Sequence, residues 1–382
     1  MIPLIRSLLP PLLSLILLIM GCGLMNTFVS VRLDLEHFST EVIGAVTASL
    51  YVGILLGSLW LDRWIGRIGH IRSFFLFAAI SSCLVFLQSF WVDPVYWAII
   101  RLGCGICIAG VYIVIESWLL MQSPEESRSV VLSIYLAVYY GALALGQFLI
   151  NLAPIQSLFP FYITSALSVI SIFPIAMQKL SEPKIEHHER MNILKAFRIS
   201  PLGFLGGVIS GILLGAIYGL VPVYAKEIGL SISYISFWMA TIIFGGLVFQ
   251  WPVGLWADKT DRHRVLCIIS LATTVTALMI PFVGKIYWLL FFLGWCFGGA
   301  SLTIYPLSMA YVCEKVSSNQ IIAATGSFVL SYGIGAILGP LVAPLAMSWF
   351  GVEGLFYFLA LTSFSLYLIS FADRNRKKSS NL

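Results

Sequence analysis

Gly254-Leu255-Trp256-Ala257-Asp258-Lys259-Thr260-Asp261-Arg262-His263-Arg264 is a dense packet of charge between two long apolar runs. A similar packet occurs earlier in the chain: Ser58-Leu59-Trp60-Leu61-Asp62-Arg63, followed by Gly66-Arg67 and Arg72. Two charged hinges, each between hydrophobic segments and at the same place in its half, imply a duplicated membrane protein.

Composition agrees. Of the 382 residues, 59% are hydrophobic and 10% charged, against about 25% charged in ordinary soluble proteins. A soluble fold of this size could not hide so much apolar surface, so lipid must cover it. The net charge of +5 does not indicate nucleic acid. The basic residues sit in short hinges and the tail, which is the pattern of topology signals. Seven cysteines, at 22, 83, 104, 107, 267, 296 and 313, fall inside or at the ends of apolar runs and read as small apolar side chains rather than disulfides.

A membrane-crossing helix takes about 20 apolar residues, and twelve such runs can be laid down. They are 9–31, 41–61, 71–91, 95–119, 129–152 and 160–177, then 202–224, 233–254, 265–283, 286–312, 321–347 and 353–372. The expected fold is all-α and polytopic, with twelve transmembrane helices in two pseudo-symmetric six-helix bundles. The bundles span 1–177 and 201–372, joined by a polar linker at 178–200 and followed by a basic tail at 373–382. Glu186-His187-His188-Glu189 in the linker reads as solvated chain, because nothing nearby would fix a metal geometry. Arg6 and the apolar run to Ile19-Met20-Gly21-Cys22 have the form of a secretory signal. Against that, Gly23–Val31 is echoed by Gly215–Val223, and a discarded signal has no reason to belong to a repeat.

Basic residues set the orientation. With the N-terminus inside, inner segments hold eighteen of the 22 Lys and Arg, outer segments hold three (Arg32, Lys226 and Lys285), and Arg101 lies within a span. Both termini are therefore expected in the cytoplasm. The two halves also match segment by segment. Asn26–Val31 pairs with Tyr218–Val223, Leu59–Arg63 with Leu255–Lys259, Leu102-Gly103 with Leu293-Gly294, Ala109 with Ala300, and Tyr139 and Gly146 with Tyr332 and Gly339.

Two six-helix halves with a charged hinge between spans two and three of each resemble the major facilitator superfamily along the whole chain. That family's hinge motif reads Gly-x-Leu-x-Asp-(Arg/Lys)-x-Gly-Arg-(Arg/Lys). The second copy fits at Gly254, Asp258, Lys259 and Arg262, with Asp261 where glycine is usual. The first copy departs further: Ser58 replaces the leading glycine, and Gly66-Arg67 follows Asp62-Arg63 one residue late. A rival register uses Arg67 and Gly69 and leaves no aspartate. Ile115-Glu116-Ser117, Tyr139-Tyr140, Gly146-Gln147, Phe249-Gln250-Trp251-Pro252, Cys313-Glu314-Lys315-Val316 and Leu338-Gly339-Pro340 are similar to the YcaD-like branch of bacterial inner-membrane transporters.

The resemblance implies that Asp258 and Asp62 latch the inner side by facing positive helix N-termini of the opposite half. The plainer alternative is that these charges only set orientation and a tight turn. Arg101 matches an arginine that the superfamily places in span four and associates with proton coupling or an anionic group. The alternative is a packing arginine that snorkels or bonds carbonyls. Glu116 lies about 22 Å further along the same helix. Partial burial would disfavour its charge and let it take up a proton, or it pairs with Arg67, Arg72 or Arg128. Asn26, Tyr112, Tyr139, Gln147, Tyr218, Trp295, Tyr305 and Tyr332 are candidates to line a central cavity. Such a lining favours neutral or amphipathic solutes through stacking and single hydrogen bonds, and helix packing is the alternative for each. Gly333, Gly335, Gly339, Pro340 and Pro344 would let span eleven approach a neighbour closely and bend.

Cys104-Gly105-Ile106-Cys107 has redox spacing but lies within a span, and no phosphate loop for ATP occurs. The expected function is secondary active transport of a small organic solute across the inner membrane. It would be driven by protons, with no metal or cofactor, no nucleic acid, and the bilayer around a monomer. A membrane-embedded enzyme would need clustered acids, histidines or a nucleophile at one surface. A non-carrying sensor would not need both hinges and the repeat.

Overall fold

Twelve helices are long and apolar enough to cross a membrane in the structure, a computed structural model that describes residues 2–123, 128–177, 197–284, 286–316 and 320–380. The first six are α1 (Ile2–Leu35), α2 (Thr40–Ile68), α3 (His70–Gln88), α4 (Pro94–Met121), α5 (Arg128–Phe148) and α6 (Phe159–Ile170). The second six are α7 (Pro201–Glu227), α8 (Ile232–Lys259), α9 (Arg262–Val283), α10 (Tyr287–Lys315), α11 (Ile321–Phe350) and α12 (Gly354–Ser380). Only helices satisfy every backbone group internally within lipid without closing a barrel, and no strand occurs among the described residues. The His187-His188 pair and the linker from 178 to 196 lie outside the described residues.

Local chemistry explains the boundaries. Asp93 caps α4 by accepting from the Tyr96 N–H at 2.8 Å, with Pro94 in the first helical position where no N–H is needed. Between α2 and α3 the single linking residue is Gly69 at φ 95°, a conformation that favours glycine. The sixth span was expected as one run, but α6 breaks at Ser171 and resumes over Ile172–Ala176. Pro174 has no N–H and crowds the carbonyl four residues earlier, at Ile170. By contrast α11 stays one helix through Pro340 and Pro344. The last helix runs eight residues past the expected end at 372, to Ser380, because Asp373–Lys378 holds no breaker.

The chain divides into two compact units. One holds α1–α6 together with Ile232–Ala240, and the other holds α7, the rest of α8, and α9–α12. Each unit is knitted by helix crossings where glycine lets backbones touch. In the first unit Gly53 lies against the Leu102 carbonyl, Gly105 against that of Leu50, and Gly146 against that of Met20. In the second, Gly245 lies against Trp295, Gly298 against Ile242, and Gly339 against Ile212. A side chain at any of these six would collide with backbone. Thus Gly339 of span eleven does make its expected close approach, to α7, and Gly335 joins it by packing on Val208.

These crossings define the internal repeat by contact. Gly53 answers to Gly245 and Leu50 to Ile242, a shift of 192 residues for α2 and α8. Gly105 answers to Gly298 and Gly146 to Gly339, a shift of 193 for the fourth and fifth helices of each half. A hydroxyl pair repeats on the same plan: Ser82 Oγ to Ser165 Oγ at 2.7 Å, and Thr274 Oγ1 to Ser363 Oγ at 2.9 Å.

Candidate functional site: one buried arginine and two matched tyrosine pairs

Arg101 lies two turns into α4 and is 5% exposed. Its Nη2 donates to Asn26 Oδ1 on α1 at 3.2 Å, while its Nε has no protein partner. No carboxylate among the described residues pairs with it; Cys22, Tyr51 and Cys104 are the ionisable groups in electrostatic reach. A charged side chain within a membrane-spanning helix is costly. It persists where the surrounding structure or a bound group answers it.

Below Arg101 on the same helix, Tyr112 meets Tyr139 of α5. The ring centroids are 5.8 Å apart, edge to face, and the hydroxyls 3.3 Å apart. In the second unit Tyr305 of α10 meets Tyr332 of α11 at 4.7 Å, also edge to face. Each member of the second pair is 193 residues beyond its counterpart, the same shift that the glycine crossings impose. All four rings are half-buried. The two units therefore present the same aromatic, hydroxyl-bearing patch from the same two helices.

Three other cavity candidates are occupied by packing. Gln147 is fully buried; its Oε1 accepts from Thr27 Oγ1 and its Nε2 donates to the Gly23 carbonyl at 2.9 Å. Both ends of the amide are spent tying α5 to α1. Tyr218 is 4% exposed within α7. Trp295 stacks edge-on against Phe249 of α8 at 4.8 Å.

At the opposite end of α4, the Glu116 side chain is exposed and makes no hydrogen bond or ion pair among the described residues, Arg67 and Arg72 included. The side chain of Arg128 lies outside those residues.

The second hinge is a worked cluster. Arg262 reaches back one turn to Asp258 at 2.7 Å and across to Glu314 of α10 at 2.9 Å. Asp261 stands where glycine is usual because it caps α9, accepting from the His263 N–H at 3.0 Å. Gly254 is open, with no atom within 4 Å of the place a Cβ would take. Gly254, Asp258 and Arg262 border a cavity of about 80 Å³ against Thr303, Pro306 and Ala310 of α10. That holds a few waters, whereas organic solutes occupy pockets of about 300–1,000 Å³. Lys259 is exposed.

The first hinge is built differently. Asp62 accepts from its neighbour's backbone, Arg63 N–H, at 2.8 Å, while the side chains of Arg63 and Arg67 are exposed. Carried along α2, the 192-residue contact shift sets Asp62 opposite Gly254, Gly66 opposite Asp258, and Arg67 opposite Lys259. The helix ends agree, since α2 runs six residues past Asp62 but α8 only one past Asp258.

Comparison with known sequences gives the frame for this geometry. The sequence model of the Major Facilitator Superfamily matches residues 11–203 and again 203–382. The chain belongs to the major facilitator superfamily. YcaD of Escherichia coli O6:K15:H31 (strain 536 / UPEC), described as an uncharacterized MFS-type transporter, is 33% identical over 362 residues, 93% of this chain and 92% of its own. Among solved structures, the nucleoside transporter NupG superposes with TM-score 0.72 at 15% identity, covering 96% of this chain and 98% of its own. A D-xylose–proton symporter superposes with TM-score 0.74 at 13% identity, covering 97% and 96%. As a superfamily member the chain is a multi-pass membrane transporter and not an enzyme.

Within the superfamily fold, two partners escaped the reading of the sequence. One is Glu314, for which a lone acid in the last turn of α10 beside a basic hinge is the available signal for pairing. Thr27, which holds Gln147, carries no signal beyond being a hydroxyl in an apolar run.

Proposed function

We propose that the chain is a proton-coupled secondary transporter that carries a small organic solute, neutral or amphipathic, by alternating access. It works as a monomer in a bacterial inner membrane with both termini in the cytoplasm, as the excess of basic residues in alternate connections supports. The matched tyrosine pairs carry this reading. A patch repeated in each half at one register offers a small solute ring faces for stacking and hydroxyls for hydrogen bonds in a duplicated carrier. Arg101, charged and with a spare Nε donor, would receive a hydrogen-bond-accepting or anionic end of the solute. Nucleosides and D-xylose, the solutes named for two structures of this fold, are likewise small and organic.

Coupling belongs to the first unit alone in this reading. At the 193-residue shift Arg101 and Glu116 answer to Gly294 and Met309, which cannot ionise. Glu116, the ionisable acid of α4 and unpaired among the described residues, is the proton carrier. Asp258, braced by Arg262 and Glu314, is the principal latch acid, and Asp62 a lesser one.

The test is transport by the purified chain in vesicles, with a panel of metabolites and with and without a pH gradient. Flux of a small organic solute that rises with the gradient is expected. Flux that ignores the gradient removes proton coupling, and no flux of any solute under any gradient removes the carrier reading.

A further inference from the structure

Leu56, Trp60, Arg63, Trp64 and Arg67 recur along α2 at intervals of three and four residues, the spacing that keeps side chains on one face of a helix. All five are exposed, the two indoles at 43% and 46%. Trp60 and Trp64 meet edge to face with ring centroids 6.0 Å apart. Beside them, the side chains of Arg63 and Arg67 make no hydrogen bond or ion pair among the described residues. Asp62 stands off this stripe, two residues from Trp60. Two guanidiniums one turn apart repel each other, and among the described residues nothing neutralises them.

Their place on the helix gives the chemistry of what would. From Trp60 to Arg67 is about 10 Å along the axis, and α2 ends one residue later at Ile68. The polar zone of a bilayer adds about 5–8 Å on each side of its hydrocarbon. Over this distance the exposed face passes from leucine through tryptophan to arginine, which is the order of acyl chain, interface and headgroup. Guanidinium forks match phosphate oxygens. We propose that this stripe of α2 is a binding site for an anionic phospholipid, with the phosphate between Arg63 and Arg67 and the upper acyl chain against Trp60 and Trp64. Charge selects the lipid: a phosphate that carries its own choline brings no net charge to two unneutralised cations, whereas a phosphatidylglycerol brings one negative charge.

The second unit does not repeat the site. At the 192-residue shift Trp60 and Arg63 answer to Pro252 and Leu255, while Trp64 and Arg67 answer to Trp256 and Lys259. That leaves one cation of the two, and Arg262 of the same hinge is already held by Asp258 and Glu314. The lipid preference therefore belongs to α2.

The experiment is tryptophan fluorescence of the full chain in phosphatidylcholine nanodiscs that hold a small fraction of lipid brominated on its acyl chain, either phosphatidylglycerol or phosphatidylcholine. Bromine quenches the indoles it touches. The chain has eleven tryptophans, so the signal of the pair is the difference between wild type and Trp60→Phe/Trp64→Phe. The expected result is stronger quenching of the pair by brominated phosphatidylglycerol than by brominated phosphatidylcholine at equal fraction. That preference should fall about fivefold in each of Arg63→Gln and Arg67→Gln, and persist in Arg264→Gln, which removes an exposed arginine of α9. Equal quenching by the two lipids in wild type overturns the proposal. So does a preference that survives Arg63→Gln/Arg67→Gln, or one that Arg264→Gln removes as well. Should the double arginine variant fail to fold, wild type at low and high salt decides, because screening must weaken the preference and a preference unmoved by salt overturns the site. No solute or gradient is present, so the outcome is independent of whether the chain is a carrier.

Discussion

Arg101 of α4 donates to the side-chain carbonyl of Asn26 on α1 at 3.2 Å, joining two helices of the first unit through a buried charge. An asparagine oxygen answers one guanidinium hydrogen-bond site and leaves the charge itself unneutralised. The pair is therefore poised to take a further acceptor. Arg101→Lys keeps the charge but loses the planar fork. Losing one charge-assisted hydrogen bond costs about 1.5–3 kcal/mol, so initial transport rates should fall about tenfold to a hundredfold. An unchanged rate would confine Arg101 to packing. Asn26→Leu, which strands the guanidinium, should lower the thermal unfolding midpoint as well.

Glu116 is exposed and has no partner among the described residues. Glu116→Gln fixes the side chain in a form that resembles the protonated acid in charge. Solute exchange without a gradient should persist, while net gradient-driven flux should collapse and lose its dependence on pH. The comparison is of exchange and net flux in the same vesicles. Intact gradient-driven flux with the wild-type pH profile would make Glu116 structural.

Asp258 and Asp62 should differ. The Asp258–Arg262 bridge is an exposed i, i+4 pair, which stabilises a helix by only about 0.3–0.5 kcal/mol. Asp258→Asn should therefore leave folding stability nearly unchanged yet alter the balance of inward- and outward-open states in a cysteine crosslinking assay. Asp62→Asn, at a position that the packing register sets opposite Gly254, should shift that balance less. A larger effect at Asp62 would reverse the assignment of the main latch.

Gln147 should behave as a strut. Gln147→Leu removes the buried amide itself, taking the acceptor from Thr27 Oγ1 and the side-chain donor from the Gly23 carbonyl. Unsatisfied buried groups cost about 1–3 kcal/mol, so unfolding in denaturant should come earlier, whereas the concentration dependence of transport in the surviving folded protein should stay as in wild type. A selective change in apparent affinity with no loss of stability would return Gln147 to the solute site.

Span number, the all-helical class and the duplication were legible in the residues. Lipid forces long apolar runs to be helical, and charge interrupts them only where they leave the bilayer. Arg101 and Glu116 stood out for the same reason, since ionisable groups within spans are rare. Two further things needed the tertiary structure. The match of Asp62 to Asp258 follows the local string Leu-Trp-x-Asp, but helix crossings at Gly53 and Gly245 slide the register by one turn and pair Asp62 with Gly254. A string comparison scores identity, whereas packing scores where a backbone can touch its neighbour. Likewise the four tyrosines were individually visible, but their pairing was not. Tyr112 and Tyr139 are 27 residues apart on different helices, and only the crossing of α4 and α5 decides that their rings meet. Hydrophobic periodicity and charge determine which segments enter the membrane. Close packing alone decides which side chains on those segments face one another, because that depends on the small residues at each crossing and not on the pattern along any one helix.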